Sequence, residues 1–136
     1  MFGFFKKKEK KVVDEIVEEK LSEEKIQELQ QKVQALESKI QAVQTEQPEE
    51  KNKLAQLLEE QGLIYAVLGE NDQAILTLEC SLTVKQTIGD GYKKLMSLYN
   101  SKRAESARYG DDQGIDYYMS KMDEMRQIAK KVTISG

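Results

Sequence analysis

The carboxylates of this chain are the side chains best suited to chemistry, because carboxylates can act as acids, bases and ligands for hard cations. Many of them occur as adjacent pairs: Glu59/Glu60, Asp111/Asp112 and Asp123/Glu124. Neighbours at i and i+1 do not face each other on a helix. The pairs therefore predict solvated surface charge and do not predict an acid–base or metal site.

The other reactive groups are few. The chain has no histidine and one cysteine, Cys80, so it lacks the commonest general base and cannot form an internal disulfide. We expect Cys80 to be a buried, inert thiol between Leu78 and Leu82. The segment 110–114 lacks the alternating oxygen ligands of a calcium loop, and no phosphate loop or nucleotide-binding fingerprint is visible. The sequence predicts a noncatalytic protein without cofactor, metal or small-molecule substrate.

Composition favours an all-α fold. The chain has 136 residues, of which 33% are charged and 39% hydrophobic, with one proline. Good helix formers dominate and β-branched alternation is scarce. No run approaches the roughly 20 apolar residues of a membrane helix, and the first residues lack a cleavable signal. We expect a cytoplasmic protein.

The first eleven residues form a basic, aromatic arm with a net charge of +4, followed by a stretch, 12–50, with a net charge of −7. The arm residues that suit contact with an anionic membrane are Phe2, Phe4, Phe5, Lys6, Lys7 and Lys8. Aromatic rings would enter the interface and lysines would meet lipid phosphates. The alternative is a solubilising arm. No basic face is evident in the rest of the chain, so nucleic-acid binding is not expected.

Residues 12–47 are predicted to form an amphipathic helix or coiled-coil stalk. Its apolar positions follow 3-4 spacing: Ile26, Leu29, Val33, Leu36, Ile40 and Val43. β-Branched residues at a, with mostly leucine at d, favour a parallel two-stranded coil and hence a homodimer. Pro48 ends the stripe because it disfavours helix at the preceding residue. The alternatives are one amphipathic helix folded back on its own helical domain, and a solvated single helix.

Residues 49–132 are predicted to form four helices, with 133–136 as a tail. The first helix is predicted to run from about 49 to 68, and the second to follow it and include Ile88. The third is predicted to begin at about 92, and the fourth to run from about 112 to 131. Gly69 suits the left-handed position after a helix, and Asn71 or Asp72 suits the next N-cap. Gly62 and Ala74 are small, so two helices can lie close together there. The Gly89-Asp90-Gly91 segment is expected to break the helix that precedes it.

This region resembles the tetratricopeptide repeat, a helix–turn–helix of about 34 residues. The positions that carry the resemblance are Leu58, Gly62, Tyr65, Gly69, Ala74, Leu78 and Ser81. Gln86 departs from it, since the family often has proline there. A second, longer repeat places its turn at Gly110, with Tyr92, Leu95 and Tyr99 on its inner side.

The resemblance implies a partner-binding groove lined by the first helix of each repeat. Carried over by position, its residues are Gln56, Glu59, Leu63, Ala66, Val67, Lys93, Ser97, Asn100 and Ser101. A family of this kind implies an adaptor, scaffold or assembly factor that holds a partner protein or peptide. Two alternatives stay open, namely a structural self-assembly protein and a chaperone for an exported or aggregation-prone substrate.

Overall fold

The computed structural model describes residues 21–135, which form five α-helices and contain no β-strand. The helices are α1 (Glu23–Glu46), α2 (Lys51–Val67), α3 (Asn71–Val84), α4 (Asp90–Arg108) and α5 (Asp112–Ser135). The prediction of an all-α fold is confirmed. Two compact units divide between Gln31 and Lys32, inside α1. In residues 21–135 no helix has both the length and the apolar character needed to cross a bilayer.

In the first unit, the described residues are the beginning of α1. The Ser22 hydroxyl accepts a hydrogen bond from the backbone N–H of Lys25 at 3.1 Å. This bond satisfies one of the N–H groups that a helix start leaves without a partner, and Glu23 and Glu24 in the first turn favour the same end of the helix. Leu29 is buried and Ile26 is half-buried. The helix therefore begins where a serine cap allows it.

In the second unit, the remainder of α1 is attached to α2 by a buried amide. Gln61 Nε2 donates to Glu37 Oε2 at 2.9 Å and to the carbonyl oxygen of Val33 at 3.3 Å. Along this part of α1, Leu36, Ile40 and Val43 are buried, with 3–5% of their surface exposed. These side chains are covered in a single chain, which agrees with the fold-back alternative for residues 32–46. Self-association through the stripe stays a prediction.

The turn between α2 and α3 is closed by Gly69, whose φ of 78° is left-handed as predicted. The N–H of Glu70 donates to the carbonyl of Tyr65 at 2.9 Å, and that of Gly69 to the carbonyl of Ala66 at 3.1 Å. This pair of bonds is the Schellman motif. The predicted cap was wrong. Asn71 is already the first residue of α3, and Glu70 holds the cap position without a side-chain hydrogen bond.

The turn between α4 and α5 repeats the same motif. Gly110 has a φ of 68°, and the N–H groups of Asp111 and Gly110 donate to the carbonyls of Ser106 and Ala107 at 2.8 and 3.3 Å. Asp111 then caps α5, its carboxylate accepting from the N–H of Gly114 at 3.0 Å. α5 continues to Ser135, so residues 133–135 belong to the helix and the predicted tail was wrong there. No proline or glycine interrupts the chain between Gly114 and Gly136.

The connection between α3 and α4 also differs from the prediction. α3 ends at Val84 because Lys85 is extended, so Ile88 lies in a loop and not on the helix. α4 begins at Asp90 and includes Gly91 in its first turn. A Cβ on Gly91 would lie 2.7 Å from Oε2 of Glu59 and 2.8 Å from its Cγ. The glycine thus serves a close approach of α4 to α2 and does not break a helix.

The four helices from α2 to α5 pack as two antiparallel hairpins. α2 lies against α3 and α4 against α5, while α3 and α2 both contact α4. The buried cluster at their centre consists of Ala74, Leu78, Leu82, Leu95, Leu98, Tyr99, Met122 and Met125. Apolar residues of three helices therefore meet around α4. The small residues Gly62 and Ala74 are buried at the first hairpin.

Candidate partner-binding groove

The first helices of the two hairpins, α2 and α4, lie next to each other. The nine groove residues that the resemblance implied follow one another at three or four residues, except for the adjacent pairs Ala66/Val67 and Asn100/Ser101. This spacing places each set on one side of its helix. Six of the nine are exposed and three are half-buried. The exposed six are Gln56, Val67, Lys93, Ser97, Asn100 and Ser101. The two helices therefore present open side chains where the groove is expected.

The half-buried members divide their surface between the groove and the interior. Leu63 and Ala66 pack against the buried cluster, so they contribute to the core as well as to the outer face. Val67 follows them on α2 and is 56% exposed. Of the apolar residues assigned to the groove, Val67 offers the most surface to a partner.

Glu59 has a structural contact that sequence reasoning missed. Its side chain lies against Gly91 in the first turn of α4. A carboxylate near a helix N-terminus is favourable, because backbone N–H groups give that end a partial positive charge. Glu59 also lines, with Gln56, a hollow of about 310 Å³ that includes Lys85 and Thr87. These last two were missed because their segment was assigned to a helix.

The exposed side of α4 is polar and cationic. Arg103 Nε donates to Asn100 Oδ1 at 3.1 Å, which holds the Asn100 amide beside a guanidinium. Within residues 21–135, neither Lys93 nor Arg103 has a carboxylate within 4.0 Å. Arg103 was not among the groove residues that were carried over by position from the tetratricopeptide repeat. Together these groups can bind carbonyl or carboxylate oxygens of a partner.

Lys102, on the same helix, has a different role. Its Nζ lies 2.8 Å from Asp72 Oδ1 of α3. The hydrogen bond to Asp72 raises the pKa of the Lys102 ammonium, although partial burial opposes the shift. This cation therefore connects the two hairpins and is not available to the groove.

A second concave region lies among α3, α4 and α5, and its volume is about 440 Å³. At its edge, the buried Tyr99 hydroxyl donates a hydrogen bond to the Glu79 carboxylate. Burial raises the pKa of Tyr99, and the bond to Glu79 raises it further. Sequence reasoning missed this region because it is formed by residues from three helices that are distant along the chain.

Three other predictions concern a metal site, Cys80 and the N-terminal arm. Among residues 21–135, no group of three histidine, cysteine or acidic side chains is placed to hold a metal ion. Cys80 is exposed, so the prediction of a buried thiol was wrong. The predicted membrane-contact residues, Phe2 to Lys8, lie outside the described part of the chain.

No protein-family model matches the chain, and neither a curated protein nor a solved structure matches it. The resemblance to the tetratricopeptide repeat therefore stays a prediction from the sequence.

Proposed function

We propose that this chain is a noncatalytic protein-interaction module, serving as an adaptor, scaffold or assembly factor. Its partner would be a protein or peptide held along α2 and α4 in tetratricopeptide-like fashion. One observation carries the proposal. Two hairpins closed by the same glycine turn have their first helices side by side, and six of the nine residues that a partner would contact on these helices are exposed.

The chemistry of the two stripes supports an extended segment as the partner. Val67 supplies apolar surface, whose burial contributes roughly 25 cal/mol per Å² before ordering costs. Ser97 and Asn100 supply donors and acceptors for a peptide backbone, and Lys93 supplies positive charge. Affinity would come from the apolar contact, and orientation from the polar one.

The test is affinity capture from cells with quantitative mass spectrometry, comparing three baits. Ser97→Trp places a bulky ring in the groove, while Ser120→Trp makes the same change at an exposed position of α5. Specific partners should be lost with Ser97→Trp and retained with Ser120→Trp. The same proteins captured by all three baits, or no protein enriched by the wild type, would refute the groove.

We also propose that the module associates peripherally with an anionic membrane through residues 1–11. The support is the order of three phenylalanines and three lysines in that arm. Each lysine near an anionic surface adds about 1 kcal/mol. Co-sedimentation of the full chain with phosphatidylserine-containing vesicles should exceed that with phosphatidylcholine vesicles. The chain lacking residues 1–11 should lose this difference, and equal sedimentation of both forms would exclude the tether.

A further inference from the structure

The second concave region has an apolar floor. Leu82 of α3, Leu95 of α4, and Met125 and Ile128 of α5 line it. Leu95 and Met125 are almost fully buried, whereas Ile128 is half-buried and faces the opening in part. A volume of about 440 Å³ falls within the usual range of side-chain and ligand pockets. The floor therefore suits one or two bulky apolar side chains.

The rim of this cleft has more negative than positive charge. Glu79 and Glu124 line it together with one cation, Lys121. Lys121 Nζ lies 3.9 Å from Glu79 and 3.6 Å from Glu124, so a single ammonium serves two carboxylates. The net charge of these three groups is −1. A partner that brings a cation to the rim would complete the pairing.

Two contacts hold the rim in place. The Tyr99 hydroxyl donates to the Glu79 carboxylate from the buried side, which limits the positions that this carboxylate can take. Lys121 lies 5.7 Å from the centre of the Tyr117 ring, and Tyr117 is 54% exposed. The cleft is thus bordered by positioned charges. One of them, Lys121, lies over an accessible aromatic ring beyond the cleft lining, which a second cation can also contact.

We propose that the cleft between α3 and α5 is a second docking site, which takes a basic peptide carrying bulky apolar side chains. The apolar chains enter the floor above Leu95 and Met125, and flanking lysine or arginine residues pair with Glu79 and Glu124. Most of the cleft lining belongs to α3 and α5, the second helices of the hairpins, and α4 contributes Leu95 and Tyr99. None of the lining residues is a groove residue, so either site can fail without the other.

The test uses the full chain and a synthetic probe, acetyl-Gly-Lys-Leu-Leu-Lys-Gly-amide. Two control peptides replace both lysines by glutamate or both leucines by alanine. Thr83→Trp fills the cleft from an exposed rim position, and Thr45→Trp makes the same change on an exposed part of α1. Binding is followed by amide chemical shifts, and unchanged melting temperatures show that the variants fold.

The lysine–leucine probe should shift amides in 79–86 and 121–128. The alanine peptide should bind at least about ten-fold more weakly, since each buried leucine contributes more than a factor of ten. Glu124→Lys should weaken binding of the lysine–leucine probe by about five-fold or more. Thr83→Trp should weaken binding of the same probe at least ten-fold, and Thr45→Trp should weaken it less than two-fold.

Four results would overturn this inference. The glutamate peptide binding as well as the lysine peptide would remove the charge argument. Shifts confined to α2 and α4, or no binding at millimolar probe, would remove the cleft as a peptide site. A wild-type dimer that Thr83→Trp converts to monomer would identify a second copy of the chain as the occupant instead.

Discussion

Gly62 of α2 lies directly against Leu78 of α3. A Cβ added to Gly62 would lie 2.7 Å from both Cγ and Cδ2 of Leu78, and 3.3 Å from its backbone nitrogen. Leu78 is 1% exposed, so it has little space into which it can move. The contact explains why the most recognisable hairpin of the chain has a glycine in the middle of a helix, where glycine is otherwise unfavourable.

Gly62→Ala should therefore destabilise the fold. Alanine gains about 1 kcal/mol in helix propensity, but overpacking a filled core costs about 1–3 kcal/mol, and the contact with a backbone atom favours the higher cost. Urea unfolding should show a net loss of about 1 kcal/mol or more. The double variant Gly62→Ala/Leu78→Ala should lose less than the sum of the single losses, because the shorter side chain makes room. Full additivity would contradict this account.

Gln61→Glu should detach α1 from α2. The substitution removes the donor that Glu37 accepts from at 2.9 Å and leaves two carboxylates facing each other. Breaking a hydrogen bond to a charged group costs about 1.5–3 kcal/mol. Hydrogen exchange should accelerate in residues 32–46.

The charge-swapped pair provides the control for that change. Glu37→Gln combined with Gln61→Glu places the donor on α1 and the acceptor on α2, so protection of residues 32–46 should return in large part. Equal exchange in the single and double variants would show that this hydrogen bond does not hold the helix.

The raised pKa of Tyr99 predicts that the folded protein loses stability at alkaline pH. Burial and the bond to Glu79 raise its pKa in the folded state, so the folded protein holds a proton that the unfolded chain releases near pH 10. The stabilising contribution is complete below pH 10 and falls as the pH rises above it. Tyr65 and Lys102 have pKa values raised in the same direction, so part of the slope belongs to them.

Tyr99→Phe isolates the contribution of that hydroxyl. The variant should lose about 1.5–3 kcal/mol at pH 7, because the Glu79 carboxylate loses a donor. It should also lose less additional stability than the wild type between pH 7 and pH 11, as measured by urea unfolding. Parallel curves for the two proteins would show that Tyr99 does not carry the alkaline dependence.

Val33→Lys tests the predicted dimer. Val33 is half-buried, unlike Leu36, Ile40 and Val43 on the same stripe. If two chains pair through this stripe, a lysine at an a position should convert dimer to monomer in sedimentation equilibrium. Gln34→Lys, at the neighbouring exposed position, should leave the mass unchanged. A Val33→Lys variant that is still a dimer would show that the two chains do not pair through this stripe.

Cys80 should react with Ellman's reagent in the native protein. Its side chain is exposed, so one equivalent of thiol should be released without denaturant, and Cys80→Ser should release none. Reaction only in urea would contradict the exposure of this residue. A label at this position would lie one residue from Glu79 at the cleft.

The all-α class was readable from local sequence because helix formation depends on propensity, capping and breaking residues that act within a few positions. Gly69 illustrates this, since only glycine adopts a left-handed turn without strain. The helix break predicted at 89–91 was wrong because the role of its second glycine depends on a distant residue. The side chain of Glu59, 32 positions away in the chain, leaves no room for a Cβ at Gly91, and no local sequence pattern indicates such a neighbour.

The sequence by itself determined that the chain is helical, where its two glycine turns lie, and which residues of α2 and α4 belong to one side of each helix. Tertiary structure showed that Leu36, Ile40 and Val43 of the apolar stripe are buried within a single chain. The 3-4 spacing alone could not show this, because it suits a partner chain or the chain's own α2, and pairing of two chains through the stripe stays a prediction. Tertiary structure also decided that Cys80 is exposed and that Glu79, Tyr99 and Lys121 meet. Periodicity specifies one side of a helix, but packing alone determines which surface covers it.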